Sequence, residues 1–397
     1  MRILILNTSE CVGGAAIAAR RLCQALDKQG MEARMMVCHR QTTSPQVLSA
    51  SCSRWHFLWE RLRIFLANGL SRRNLWKVDI ACSGTDIIHT EAFRQADVIH
   101  LHWINQGYLS LGEIRRILAS GKKVVWTLHD MWPFTGICHH SGLCEHFQEH
   151  CHDCPLLMHS TAHDLSWRVF HRKQECYLPS SLTFVGCSRW IADRARLSAL
   201  TQGQRVEHIP NPVDFSTFHP MDRQEARRHW NLPLDRPLIL FVAAKVTDAD
   251  KGIHLLQQAY ALLSDKPDVV VVGGQSAPMG EGFHSIPYVA DETSMATLYA
   301  AVDAFVTPSL FENLPNVIAE AMSCGTPCVG FCTGGIPEMI DHLSNGYVAR
   351  YADAEDLALG IRYVLQHDLR QAAIEKARAM FDPVAVARQY IHVYETE

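Results

Sequence analysis

The chain has 397 residues, too long for one ordinary domain and comfortable for two. Hydrophobic residues make up 48% and charged residues 20%, the balance of a soluble globular protein. The net charge of -4 gives no global case for nucleic acid, and no apolar run approaches the roughly 18 to 20 residues of a membrane span.

Residues 2–7 (RILILN) form an apolar run that reads as a buried first strand rather than a secretion signal. A cytosolic location is the expectation, peripheral at the inner face of the plasma membrane if the chain touches lipid. In that compartment the 14 cysteines are mostly thiols or metal ligands rather than disulfides. A polar loop with Gly13 and Gly14 follows, then a small-residue helix pattern from Ala15 to about Gln29, with Gly30 where a helix-ending glycine belongs. Residues 31–38 read as the next strand. This strand–loop–helix–strand opening starts a parallel α/β sheet. Gly13 and Gly14 can bring backbone close to a phosphate or sugar.

Residues 54–77 hold three Trp, two Phe and six Lys/Arg against one Glu. A helix of this make-up suits an anionic membrane surface or packs as an ordinary amphipathic helix. Strand-like runs return at 97–102 (DVIHLH), 122–128 (KKVVWTL) and 182–187 (LTFVGC). His129 follows the second of these, at the carboxyl end of a parallel strand, where sites form. Residues 138–154 carry Cys138, Cys144, Cys151 and Cys154 in the spacing Cys-x5-Cys-x6-Cys-x2-Cys. Four thiols on a short loop can close a structural zinc site, with His139, His140, His146, His150 or His152 able to replace a thiol. Free thiols and disulfides are the other readings.

The strand–loop–helix pattern restarts at 238–244 (LILFVAA), with Lys251 and Gly252 in the loop and a helix at about 253–263. Strands follow at 269–273, 303–307 and 328–331, and a last helix runs from about Pro383 to Tyr394. The segment 209–220, rich in proline, is the linker candidate. The chain therefore divides into a domain 1–208 with the cysteine-rich insert 138–154, the linker 209–220, a domain 221–380 and a closing helix 381–397.

The most informative segment is 308–327 (PSLFENLPNVIAEAMSCGTP). A strand ends near Thr307, and Pro315 suits the first turn of a helix. Val317, Ile318, Ala321 and Met322 make an apolar face, and Gly325 and Pro327 stop it. A helix N-terminus at the end of a parallel strand is a ready place for phosphate. Glu312 lies before this helix and Glu320 inside it. A carboxylate there can accept two hydrogen bonds from a ribose diol, worth roughly 1.5–3 kcal/mol each.

This segment resembles the signature of retaining glycosyltransferases of the GT-B fold, family four. Gly13-Gly14, residues 127–130 (TLHD), 186–188 (GCS), Pro210-Asn211, Lys251-Gly252, Gly334-Gly335 and Pro337-Glu338 match family landmarks in order. The resemblance implies two Rossmann-like domains facing a central cleft, with the C-terminal helix returning to the N-terminal domain. It implies that Glu312 contacts the donor sugar or its phosphate, and that Glu320 holds the nucleotide ribose. Asn313, Leu314 and Pro315 would offer backbone to sugar and diphosphate, His129 would face the donor sugar, and Lys251 would hold phosphate.

The family's usual arginine after the first strand of the second domain is absent. The loop 243–250 (AAKVTDAD) is longer by about two residues, and Lys245 stands in as a point charge rather than a bidentate fork. Residues 126–155 also resemble a subgroup from bacterial exopolysaccharide clusters. The implied activity is retaining transfer of a sugar from a nucleoside-diphosphate donor to a glycan or lipid-linked acceptor, with no cofactor for catalysis. A GT-B sugar-nucleotide epimerase and a non-catalytic nucleotide-sugar-binding protein are the alternatives. A dinucleotide-dependent dehydrogenase lacks support, since the opening loop has no Gly-x-Gly-x-x-Gly.

Overall fold

The computed structural model describes residues 1–274 and 282–396. It divides into two units, 1–210 together with 384–397, and 211–383. Each is built on its own parallel sheet.

The first sheet has seven strands: β1 (Arg2–Ser9), β2 (Glu32–His39), β3 (Val47–Ser49), β4 (Val98–Leu101), β5 (Lys123–Leu128), β6 (Thr183–Gly186) and β7 (Arg205–His208). Their order is β3-β2-β1-β4-β5-β6-β7, with every pairing parallel. Both faces are covered over the inner strands, which is why β1, β4, β5 and β6 read as continuous apolar runs rather than alternating ones. Leu4, Leu6, Ile99, Leu101, Trp126 and Phe184 pack on one side. Ile3, Ile5, Val98 and Val125 pack on the other, against Leu22 and Leu26 of α1 (Gly14–Lys28).

That second face is completed from the far end of the chain. The helix Pro383–Glu395 adds Val386, Tyr390 and Val393 to the same cluster. The Tyr390 hydroxyl lies 2.8 Å from Thr127 Oγ1, and the Tyr394 hydroxyl lies 2.8 Å from His100 Nδ1. The returning helix expected from the sequence is therefore present, anchored by two buried phenols on β5 and β4.

One disulfide joins Cys38, near the end of β2, to Cys52. Cys52 lies just before α2 (Arg54–Ala67), whose first turn the Ser53 side chain caps. The sequence reading expected mostly thiols and singled out neither residue: the β2 register brings their Cα atoms to 5.3 Å, within bridging range.

The second sheet has six strands: β8 (Leu238–Lys245), β9 (Asp268–Gly274), β10 (Phe283–Ile286), β11 (Ala304–Thr307), β12 (Cys328–Phe331) and β13 (Gly346–Ala349). The order is β10-β9-β8-β11-β12-β13. Helices Ile253–Ala261 and Ala354–Gln366 cover one face through Leu256, Ala259, Leu357 and Ile361. The lengthened loop after β8 is partly absorbed into the strand. The β8–β9 register slips between Val242 and Lys245, and pairing resumes at Lys245 with Gly274.

In each sheet the strand order reverses once, between β1 and β4 in the first and between β8 and β11 in the second. Open parallel sheets bind ligands outside the carboxyl ends of the strands at such a reversal. Among the described residues no helix is long and apolar enough to cross a membrane.

Candidate functional site

In the second unit the reversal brings together the loops that follow β8 and β11. Lys251 ends a short 3-10 turn, Ala249–Lys251. Its Nζ lies 2.6 Å from Glu312 Oε1, so two of the residues expected to act on the donor form one ion pair. The loops are also joined through backbone: Leu310 N–H donates to Asp250 O at 2.9 Å.

Two glycines make this closeness possible. Gly252 has φ of 72°, and a Cβ there would sit 1.9 Å from Pro308 O. Gly334 has φ of 54°, and a Cβ would sit 1.6 Å from Glu312 O. The next residue, Gly335, donates its N–H to Asn313 O at 2.7 Å. The loop after β12 thus holds the Glu312–Asn313 backbone from beneath.

Pro315 occupies the cap position of the helix Asn316–Ser323, and no side chain caps that end. Asn211 Nδ2 donates to Asn316 Oδ1 at 3.1 Å, tying the start of this unit to the helix start. Asn313, Leu314 and Pro315 are buried. Glu320 lies one turn further in and is also buried, with the Tyr299 hydroxyl donating to its Oε2 at 3.1 Å. Tyr299 is a partner that sequence reading missed, since nothing local links a tyrosine 21 residues upstream to this helix. Lys245 ends β8 and is exposed.

In the first unit, Gly13 caps α1 and Gly14 is its first residue. A Cβ on Gly13 would meet nothing within 4 Å, so the backbone there is open to a ligand. His129 directly follows β5, and its Nε2 lies 2.8 Å from Nδ1 of His102, which directly follows β4. Burial pushes the His129 imidazole down to about 4, although Asp130 opposes it. Burial and the neighbouring His100 and His129 hold His102 well below the usual histidine range. Both rings are therefore neutral near pH 7. His102 was also missed; its signal was a pair of histidines two apart at the carboxyl end of an apolar strand, on one face of the sheet.

Beside them lies a second polar chain. Trp103 Nε1 donates to Asp130 Oδ2 at 2.8 Å. His139 lies 2.7 Å from Asp130 Oδ2 through Nδ1 and 2.7 Å from Asp79 Oδ2 through Nε2. Burial raises Asp130, but His139 outweighs it and holds the carboxyl at about 2. With both ring nitrogens on carboxylates, His139 is not placed to replace a thiol at a metal.

The cysteine-rich insert brings Cys138, Cys144, Cys151 and Cys154 into one neighbourhood. Burial drives Cys151 up, and the other three thiols push it further, while Gly136 N–H donates to its Sγ at 3.2 Å. Burial raises Cys138 to about 11 and Cys154 to about 12. Among the described residues, however, no three His, Cys, Asp or Glu side chains converge closely enough to hold a metal ion.

Comparison with known proteins decides the affiliation. The family described as Glycosyltransferase Family 4 matches residues 12–217, and the one described as Glycosyl transferases group 1 matches residues 236–367. The chain belongs to glycosyltransferase family 4.

This family 4 chain is 29% identical over 222 residues to D-inositol 3-phosphate glycosyltransferase of a Nocardioides species, covering 48% of each. It is 22% identical over 317 residues to the putative colanic acid biosynthesis glycosyl transferase WcaC of Escherichia coli, covering 75% of this chain and 76% of that one. The match thus spans about half the length of the first of these relatives. Sucrose-phosphate synthase of Thermosynechococcus elongatus has the same fold, with a TM-score of 0.69 at 18% identity, covering 99% and 98% of the two chains. So has HepE of Anabaena, solved with UDP and glucose, with a TM-score of 0.67 at 17% identity over both whole chains. The two-domain GT-B architecture is therefore the fold of this chain.

Proposed function

We propose that this protein is a retaining glycosyltransferase that moves a hexose or related sugar from a nucleoside-diphosphate donor to a glycan or lipid-linked acceptor in surface polysaccharide synthesis. The observation that carries the reading is the Lys251–Glu312 pair, set between the carboxyl ends of β8 and β11 and beside the start of the helix that bears Glu320. A cation and a helix N-terminus there favour the charge that develops on a departing diphosphate. Glu312 orients Lys251, and Glu320 takes the ribose diol.

In the proposed chemistry the bond from the anomeric carbon to the diphosphate oxygen breaks, and the acceptor oxygen bonds to that carbon on the same face. The acceptor proton passes to the leaving phosphate oxygen. His129 and the Gly13–Gly14 backbone act on the sugar. WcaC is described as acting in colanic acid biosynthesis and HepE was solved with UDP, which supports the polysaccharide setting and the class of donor.

A lipid-linked acceptor places the enzyme at the cytoplasmic face of a membrane, and the stretch 54–77 is suited to that place. Zinc on Cys138, Cys144, Cys151 and Cys154 stays a proposal that requires the four thiols to draw together. Elemental analysis of purified protein finds about one zinc per chain if they do, and none if the insert is held by packing alone.

Calorimetric titration with UDP, GDP, ADP and NAD tests the donor site. One nucleoside diphosphate should bind, and Glu320→Ala should weaken it at least about tenfold, or about 1.4 kcal/mol. Binding of NAD alone, or nucleotide binding indifferent to Glu320, overturns the placement.

A further inference from the structure

Helix α2 is inside out. Its buried face is polar: Glu60 is 0% exposed, Arg61 7% and Asn68, just past the last turn, 1%, with Ile64 the buried apolar member. Each buried polar group has partners. Glu60 Oε1 accepts the N–H groups of Ile80 and Ala81 at 2.8 and 2.6 Å. Arg61 donates to Leu75 O and Val78 O and pairs with Asp79. Asn68 Oδ1 accepts Met158 N–H at 2.6 Å. The helix is therefore fixed in this rotation by charged and hydrogen-bonded groups that would be costly to leave unpaired.

The outward face is apolar. Trp55 is 76% exposed, Leu58 50%, Trp59 51%, Leu62 44% and Leu66 55%. At 100° per residue these five fall within about 100° of the circumference. Leu70 and Trp76 continue the exposed apolar surface beyond the helix. Arg54, Arg63, Arg72, Arg73 and Lys77 are exposed around it, and the only acid between 54 and 77 is the buried Glu60.

We infer that this face docks on an anionic phospholipid surface. Indole and leucine side chains on one face, accompanied by five exposed cations and no exposed acid within 54–77, match the boundary between acyl chains and acidic headgroups. A second copy of the chain fits worse, because a two-fold contact would set the same five cations against each other. The docking is read from the surface itself and stands apart from the transferase reading, which supplies only its purpose: bringing the enzyme to a lipid-linked acceptor.

The test is co-sedimentation of the full chain with vesicles of phosphatidylcholine alone or with about 30% phosphatidylglycerol, with indole emission as a second readout. Expected are binding to the anionic vesicles with a blue shift, binding at least about tenfold weaker to neutral ones, and loss with rising salt. Trp55→Ser with Trp59→Ser should cost at least about tenfold in vesicle binding, as should Arg63→Glu with Arg72→Glu and Arg73→Glu. The tryptophans are exposed, so the double variant should keep its melting temperature and its nucleoside-diphosphate affinity. That retained affinity separates failure of the docking from failure of the donor site. No binding to anionic vesicles overturns the inference, as does binding that neither variant changes. Self-association lost in the tryptophan variant, without vesicle binding, gives the face to a second copy and also overturns it.

Discussion

At the scale of residues, His102 and Gly334 carry the sharpest expectations. His102 Nε2 is buried with no hydrogen-bond partner among the described residues. An unpaired buried N–H is rarer than an unpaired acceptor, so the proton is assigned to Nδ1, which then donates to His129 Nε2. His129 in turn carries its own proton on Nδ1. Nitrogen NMR of the imidazoles should show both rings neutral at pH 7 in these tautomers, and His102→Asn should change the His129 pattern.

The same histidines tie stability to pH. Burial lowers His129 to about 4 and His100 to about 3 in the folded chain and holds His102 well below its usual value, against about 6.5 unfolded. As pH falls below about 6.5 the unfolded chain takes up these protons first. Stability is thus full above that value and declines toward pH 4, by up to about 1.4 kcal/mol per pH unit for each histidine. Urea unfolding at several pH values should show this slope, shallower by about one proton in His102→Asn; an unchanged slope would remove His102 from the account.

Gly334→Ala is the corresponding test of the second unit. A methyl 1.6 Å from Glu312 O cannot be accommodated without moving the Glu312–Asn313 backbone. The variant should lose at least about tenfold in nucleotide affinity while the chain stays folded. Unchanged affinity would show that the loop after β12 does not set the position of Glu312.

At the scale of elements, the nine inner strands were legible because a parallel strand covered on both faces needs an unbroken apolar run; the short edge strands β3, β7, β10 and β13 were not read. The helix after Pro315 was legible from its cap, its apolar face and its glycine stop, and it begins one residue later than Pro315 itself. The rotation of α2 was not legible. Its composition suggests an amphipathic helix, but the choice of buried face rests on Asp79, Ile80 and Ala81, which lie about twenty residues away. Tyr299 was hidden for the same reason, and His102 left only the signal of two histidines two apart: each becomes meaningful when the fold sets it beside Glu320 or His129. The Cys38–Cys52 bridge between β2 and α2 was likewise masked, because composition cannot tell which two of 14 cysteines meet. Closing a loop of this length stabilises by about 3 kcal/mol in the chain-entropy view. Reduction should therefore lower the melting temperature, and Cys38→Ser with Cys52→Ser should match the reduced protein.

At the scale of the whole molecule, both sheets reverse their strand order once, and the residues singled out from the sequence sit at or beside those reversals: Gly13, Gly14 and His129 in the first, Lys245, Lys251 and Glu312 in the second. The cysteine-rich insert stands apart, as a loop whose thiols are neighbours without being a metal site among the described residues.

The helix Pro383–Glu395 has a consequence for how the chain is made. Because it finishes one face of the first sheet, the second unit is in effect an insertion within the first. During synthesis the second unit has all its residues before the first does. The share of that apolar face which α1 leaves open then waits until residues 383–395 have been made, so the part of the protein that begins folding first is the last to be sealed.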